Sequence, residues 1–143
     1  METMPIHWHL HLNTDIMQLY RFLDSDLGRS RFWAESAVEK HGSIHFIFPN
    51  SQTFVGRILE RVPSQRFKLV YYGGSITTFD LVPDGAGGTD LTLTNESISP
   101  EDFNEVNAGW VSVLLALKAA LDFGIDLRNH DPGLTWDQGY VDN

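Results

Sequence analysis

Residues Ser99 to Gly124 read SPEDFNEVNAGWVSVLLALKAALDFG, and this stretch decides the architecture. Ser99 is a capping residue type, and the fixed φ of Pro100 suits a first helical position. Glu101 and Asp102 complement the positive end of a helix. Phe103, Val106, Trp110, Val113, Leu114, Leu117 and Leu121 then recur at spacings of three and four, an apolar stripe along one face. Gly124 supplies the stop. The pattern predicts a helix ending near Phe123, roughly 33 Å long. Such a stripe must be covered, and the rest of the chain supplies the cover.

From Ala34 to Asn95 the apolar period is two. Ile44, Phe46 and Phe48 alternate, as do Thr77, Phe79 and Leu81, and Leu91 and Leu93. Phe54 to Val62 and Phe67 to Tyr72 are further strand-like runs. Turn signals fall about every ten residues: His41-Gly42, Pro49-Asn50-Ser51, Pro63-Ser64, Gly73-Gly74 and Pro83-Asp84-Gly85. Ile6 to Leu12 also alternates, with Ile6, Trp8, Leu10 and Leu12 on one face and His7, His9 and His11 on the other. Two short helices follow, one from Asn13-Thr14-Asp15 to about Leu23 and one over Arg29 to Trp33. The expected fold is α+β: a curved antiparallel sheet around one long C-terminal helix. Residues 1–125 form that domain. Residues 126–143 form a polar and aromatic tail packed on it or on a partner.

Composition excludes several classes. The chain has 143 residues, 42% apolar and 12% aromatic, enough for one core and far from disordered composition. Its net charge of −9 disfavours nucleic acid and anionic membrane surfaces. It has no cysteine, so disulfides, thiolate nucleophiles and cysteine metal sites are excluded. The segment Met1 to Pro5 lacks signal-peptide order, and the apolar run Trp110 to Leu121 is too short to span a bilayer; a cytoplasmic address is expected.

The order strand, two short helices, six strands and long helix resembles the helix-grip fold of the START-related (SRPBCC) superfamily. The nearest resemblance is to the bacterial branch named after the activator of the heat-shock-protein-90 ATPase. Arg31-Phe32-Trp33, Gly56-Arg57-Ile58 through Val62-Pro63 and Arg66-Phe67, Thr77 to Thr94, and Gly109-Trp110 carry the resemblance. It spans Ile6 to about Phe123. It implies an apolar cavity between sheet and long helix for a small apolar or amphipathic ligand. On that arrangement Trp8, Phe46, Phe48, Ile58, Leu69, Tyr71, Phe79, Leu93, Trp110 and Leu114 are expected to point inward, with Trp33 at the mouth.

Three functions are compatible with this reading. One is non-catalytic ligand binding. The second is a cyclase- or hydratase-type enzyme, for which Tyr71, Glu96 and His130 are the candidate proton-moving groups. The third is a protein-interaction module, a chaperone partner, which predicts an exposed apolar patch. A monomer or a homodimer fits each. No cofactor and no metal is expected. Neighbouring histidines of His7, His9 and His11 lie about 6.7 Å apart on a strand face, and a solvated outer face accounts for them. Asp80 and Arg57 fall on the outer face. In the tail, Asp131 or Asp137 beside His130 is the possible acid–base pair, while Arg128, Trp136 and Tyr140 are read as packing or as a lid.

Overall fold

The structure, a computed structural model, describes residues 4–143. Strand β1 (Met4–Leu12) leads to helices α1 (Ile16–Leu23) and α2 (Asp26–Ser30). Six strands follow: β2 (Ser36–Lys40), β3 (Ser43–Ile47), β4 (Thr53–Val62), β5 (Arg66–Val70), β6 (Ile76–Pro83) and β7 (Thr89–Ile98). Helix α3 (Phe103–Phe123) ends the domain, and Gly124 stops it in the left-handed conformation with φ 67°. One seven-stranded sheet runs in the order β1-β7-β6-β5-β4-β3-β2. All its neighbours are antiparallel, so β2 to β7 form a meander and β1 closes beside the last strand. This is the α+β helix-grip arrangement that the sequence predicts.

Register places alternate side chains inward. Leu93 stands opposite Phe79, which stands opposite Phe67, and all three are fully buried. Trp110, Leu114 and Leu117 of α3 pack onto this face and into the same core. Two polar side chains, Asn95 and Thr77, face each other within it. Asn95, on the inward face of β7, is fully buried and accepts a hydrogen bond from Trp110 Nε1 at 2.9 Å. Its amide donates to Thr77 Oγ1 at 3.0 Å and to the Ile76 carbonyl at 3.2 Å. The helix is thus tied to the sheet at mid-length by a satisfied buried network.

A second tie holds the far end of α3. The Asp122 carboxylate, 1% exposed, accepts from the Asn13 and Thr14 amides, the Thr14 hydroxyl and Lys118 Nζ. Burial alone would raise its pKa; these bonds outweigh burial and hold it at about 2.

The helices differ from the sequence reading at two boundaries. The second short helix covers Asp26–Ser30 rather than Arg29 to Trp33, because Ser25 caps it by accepting from the Gly28 amide. Gly28 lies against the α1 backbone; a Cβ there would approach Phe22 Cα to 2.5 Å. Arg29 is then drawn inside, donating to the Leu23 and Ala37 carbonyls and pairing with Asp26. Helix α3 begins at Phe103, three residues later than Pro100. The Ser99 hydroxyl donates to the Asp102 carboxylate at 2.8 Å instead of capping the backbone. Helix α3 is also longer than the Trp110 to Leu121 run: by length and composition alone its 21 residues could cross a membrane. Here its buried residues make it the core helix.

The Asn95 network yields a stability test. Asn95→Ala leaves the Trp110 N–H and two sheet groups without partners inside the core. It is expected to cost about 3 kcal/mol in urea unfolding, against less than about 0.5 kcal/mol for Glu96→Ala on the exposed face. Equal losses at the two positions would remove Asn95 from its anchoring role.

Candidate functional site

Five rings fill the centre of the space between sheet and helix. Trp33 lies 5.0 Å from Phe46, 5.6 Å from Tyr71, 5.4 Å from Phe79 and 5.8 Å from Trp110, centroid to centroid. Tyr71 and Trp110 are 5.0 Å apart. These tilted and edge-on contacts suit aromatic quadrupoles. The open space lies beside these rings, at one end of the helix and sheet.

That space is a pocket of about 380 Å³, within the usual range for small-molecule sites. Its floor is Trp33, Tyr71 and Trp110. One wall is Phe48, Gln52, Phe54 and Tyr72, from the ends of β3, β4 and β5. The second wall is the first half of α3: Glu105, Val106, Ala108, Gly109, Ser112 and Val113. The third is the tail: Trp136, Gly139, Tyr140, Val141 and Asn143.

The helix wall is kept small. A Cβ built on Gly109 meets nothing within 4 Å, so no close packing demands glycine there. Glycine inside a helix costs about 1 kcal/mol relative to alanine. With Ala108 and Ser112 beside it, Gly109 leaves room in the pocket.

The polar groups of the pocket are few. Trp33 Nε1 donates to the Tyr71 hydroxyl at 3.0 Å. An indole nitrogen only donates, so the Tyr71 oxygen is the acceptor and its own proton is left for another partner. Burial pushes the Tyr71 phenol above its ordinary pKa, which keeps it neutral and a donor. The Asn143 carboxamide is buried, and neither its nitrogen nor its oxygen has a partner among the described residues. Glu105 forms no ion pair among them either, and the lining contains no lysine, arginine or histidine.

The tail is held independently of the pocket. Arg128 donates to the Ser30 and Ala34 carbonyls at 2.8 and 2.9 Å and pairs with Asp126. His130 bridges two carboxylates, with Nδ1 2.6 Å from Glu35 and Nε2 2.6 Å from Asp126. The Asn129 amide donates to the Asp142 carbonyl at 2.6 Å, closing the tail into a loop. Trp136 then meets Phe48 edge-on at 5.6 Å.

Of the residues expected to line the cavity, the pocket gathers Trp33, Phe48, Tyr71 and Trp110. Trp33 forms the floor rather than the mouth, because it is buried among Phe46, Tyr71, Phe79 and Trp110. Phe46, Leu69, Phe79, Leu93 and Leu114 are buried core and do not line the pocket. Ile58 is half-buried against the core beside a bulge in β4. Trp8 is 40% exposed, since β1 is an edge strand; its indole donates to Asn107 Oδ1 at 2.9 Å. Among the candidate proton-moving groups, only Tyr71 reaches the pocket. Glu96 is exposed on β7, and His130 sits in the tail latch. His130 takes Glu35 and Asp126 as partners, not Asp131 or Asp137, because the Gly133 amide and the Thr135 hydroxyl occupy those two carboxylates.

Outer-face expectations resolve simply. His9 and His11 hydrogen-bond to Thr92 and Asp84, and no metal-ligating group of three is present among the described residues. Asp80 pairs with Arg66, and Arg57 is exposed. Parity arguments missed the tail and Gln52, Phe54, Tyr72 and Glu105, which belong to strand ends and a helix start.

No family model and no curated protein matches the chain. Solved structures do. A Staphylococcus saprophyticus protein is 20% identical, with 87% of this chain and 96% of that one covered at a TM-score of 0.75. The Aha1 dimer from Colwellia psychrerythraea, determined in solution, is 20% identical over 85% and 98% at 0.75. A Chromobacterium violaceum protein is 27% identical over 83% and 98% at 0.67. The chain therefore shares the helix-grip α+β fold of these structures, that of the Aha1 protein among them.

The latch predicts a pH dependence. Hydrogen bonding to Asp126 raises the His130 pKa most, Glu35 adds to it, and burial opposes. A raised folded pKa gives stability that is complete below the unfolded value, about 6.5, and lost as pH rises through the folded one. Protection of the Asn129 and Tyr140 amides against hydrogen exchange, corrected for intrinsic rates, should fall on the alkaline side. In His130→Gln that step should vanish. Unchanged protection from about pH 6 to about pH 9 in the native chain would remove the latch.

Proposed function

We propose that the protein binds a small apolar or amphipathic molecule in the pocket between the strand ends, α3 and the tail, without transforming it. A cytoplasmic address goes with this reading. The single observation that carries it is the helix wall: α3 gives up helix propensity at Gly109, where no neighbour requires glycine, beside a pocket of about 380 Å³. Aromatic floor and walls supply the apolar contact. A ligand burying about 200 Å² of apolar surface gains about 5 kcal/mol before the costs of association. The Tyr71 proton and the Asn143 carboxamide supply orientation.

The cyclase or hydratase alternative rests on Tyr71, since Glu96 and His130 lie away from the pocket. A neutral phenol with a raised pKa is a hydrogen-bond donor and a poor base.

A specific observation favours the interaction reading as a second one. Val111, Leu115 and Phe123 on the outside of α3, with Ile125 and Leu127 after it, are exposed. A second copy or a chaperone partner would cover them. The Aha1 protein of Colwellia psychrerythraea is a dimer. Light scattering of Leu115→Glu against the native chain checks this: a dimer lost on substitution supports it, and a native monomer that captures no chaperone removes it.

The binding reading is tested by native mass spectrometry of protein purified gently from its own host. A stoichiometric small molecule is expected, and it should be absent from Gly109→Phe, which fills the pocket. Gly109→Ala should raise the urea midpoint by the equivalent of about 0.5–1 kcal/mol. A copurifying compound retained by Gly109→Phe would place the ligand elsewhere.

A further inference from the structure

The charge of the pocket narrows its ligand. The lining carries one carboxylic side chain, Glu105, and no cationic side chain among the described residues. The lysine of α3 and the arginine of the tail are engaged elsewhere. Lys118 bonds the His11 carbonyl and Asp122, and Arg128 bonds two carbonyls and Asp126. An anionic head entering here would lose hydration, find no cation and face a carboxylate inside a chain of net charge −9. Fatty-acid-like ligands are therefore disfavoured.

A cationic head meets the opposite conditions. Glu105 is exposed, has no ion-pair partner among the described residues, and stands in the first turn of α3 at the pocket wall. The amino end of α3 contributes a partial positive charge of about one half, which a full carboxylate outweighs. The remaining surface is rich in aromatic faces, among them Trp33, Phe54, Tyr71, Trp110 and Trp136. Ring faces are negative and attract cations, most of all where water is excluded. The buried Asn143 oxygen adds an unused acceptor for an N–H donor.

We infer that the pocket selects a protonated amine on an aromatic or alicyclic body, with the ammonium group at Glu105 and the body on the aromatic floor. This rests on the binding reading above and goes further by fixing the sign of the ligand's charge.

Three probes of one shape decide it: naphthylmethylamine, naphthylmethanol and naphthoate. Each is titrated by calorimetry and by quenching of tryptophan fluorescence into the native chain, Glu105→Gln and Glu101→Gln. Glu101 is exposed before α3 and does not line the pocket, so its variant makes the same change in net charge elsewhere. Circular dichroism and urea midpoints confirm that both variants fold. The amine should bind the native chain about tenfold more tightly than the alcohol, a preference of the size expected for one exposed carboxylate and a cation–π contact together. Naphthoate should be weakest. The preference should vanish in Glu105→Gln and persist in Glu101→Gln. Equal binding of amine and alcohol by the native chain, or a preference that survives Glu105→Gln, overturns the charge inference and leaves the binding reading standing. If no probe binds the native chain and no compound copurifies with it, both fall.

Discussion

The hydrogen bond from Trp110 to Asn95 is the constraint on which the rest of the structure depends. It fixes the height and rotation of α3 over the sheet, because an indole N–H donates in only one direction. Asn95 is fixed in turn by Thr77 and the Ile76 carbonyl on the next strand. With Trp110 set, the edge-on and tilted contacts of Trp33, Tyr71 and Phe79 follow, and these rings fill the middle of the grip. A helix free to rotate by one residue, about 100°, would turn Gly109 and Ser112 away from the strand ends and close the pocket. Position of the core and position of the pocket are thus one problem, solved by one buried polar pair.

Much of this fold was legible in the sequence, for physical reasons that differ between elements. The strands of the meander were readable because one face is buried and period two therefore survives, as in Phe79 and Leu81 or Leu91 and Leu93. Gly124 was readable because only the left-handed conformation ends α3 there. The start of α3 was misread because Ser99 has two possible partners, and the Asp102 carboxylate wins over the backbone. The second short helix was displaced because Ser25 caps it and Gly28 packs on α1, a tertiary contact that local propensity does not encode.

The pocket was less legible than the fold. Parity identifies which side chains point inward, yet it cannot say whether inward space is filled. Phe46, Leu69, Phe79, Leu93 and Leu114 point inward and fill it; Phe48, Tyr71 and Trp110 point inward where it stays open. The deciding features are a missing side chain at Gly109 and a wall from the tail, and neither has a periodic signature. Asn95 illustrates the same limit: its place on the inward face follows from Leu91 and Leu93, but its role depends on Trp110, fifteen residues away in sequence.

The tail also limits what likeness of fold can say about ligands. The Aha1 dimer is covered over 98% of its length while 85% of this chain matches, so about 21 of 143 residues here are unmatched. That share is close to the size of the segment from Asp126 to Asn143. The segment supplies Trp136, Tyr140 and Asn143 to the pocket, and it is held by Arg128 and His130 through bonds to the chain between α2 and β2. A ligand must therefore fit a wall anchored outside the sheet and helix. Because Glu35 and Asp126 hold that wall through a titrating imidazole, the apolar floor is set by folding alone, while its cover responds to proton concentration. The two parts of the site obey different physics: ring packing that is insensitive to pH, and an ionic latch that is not.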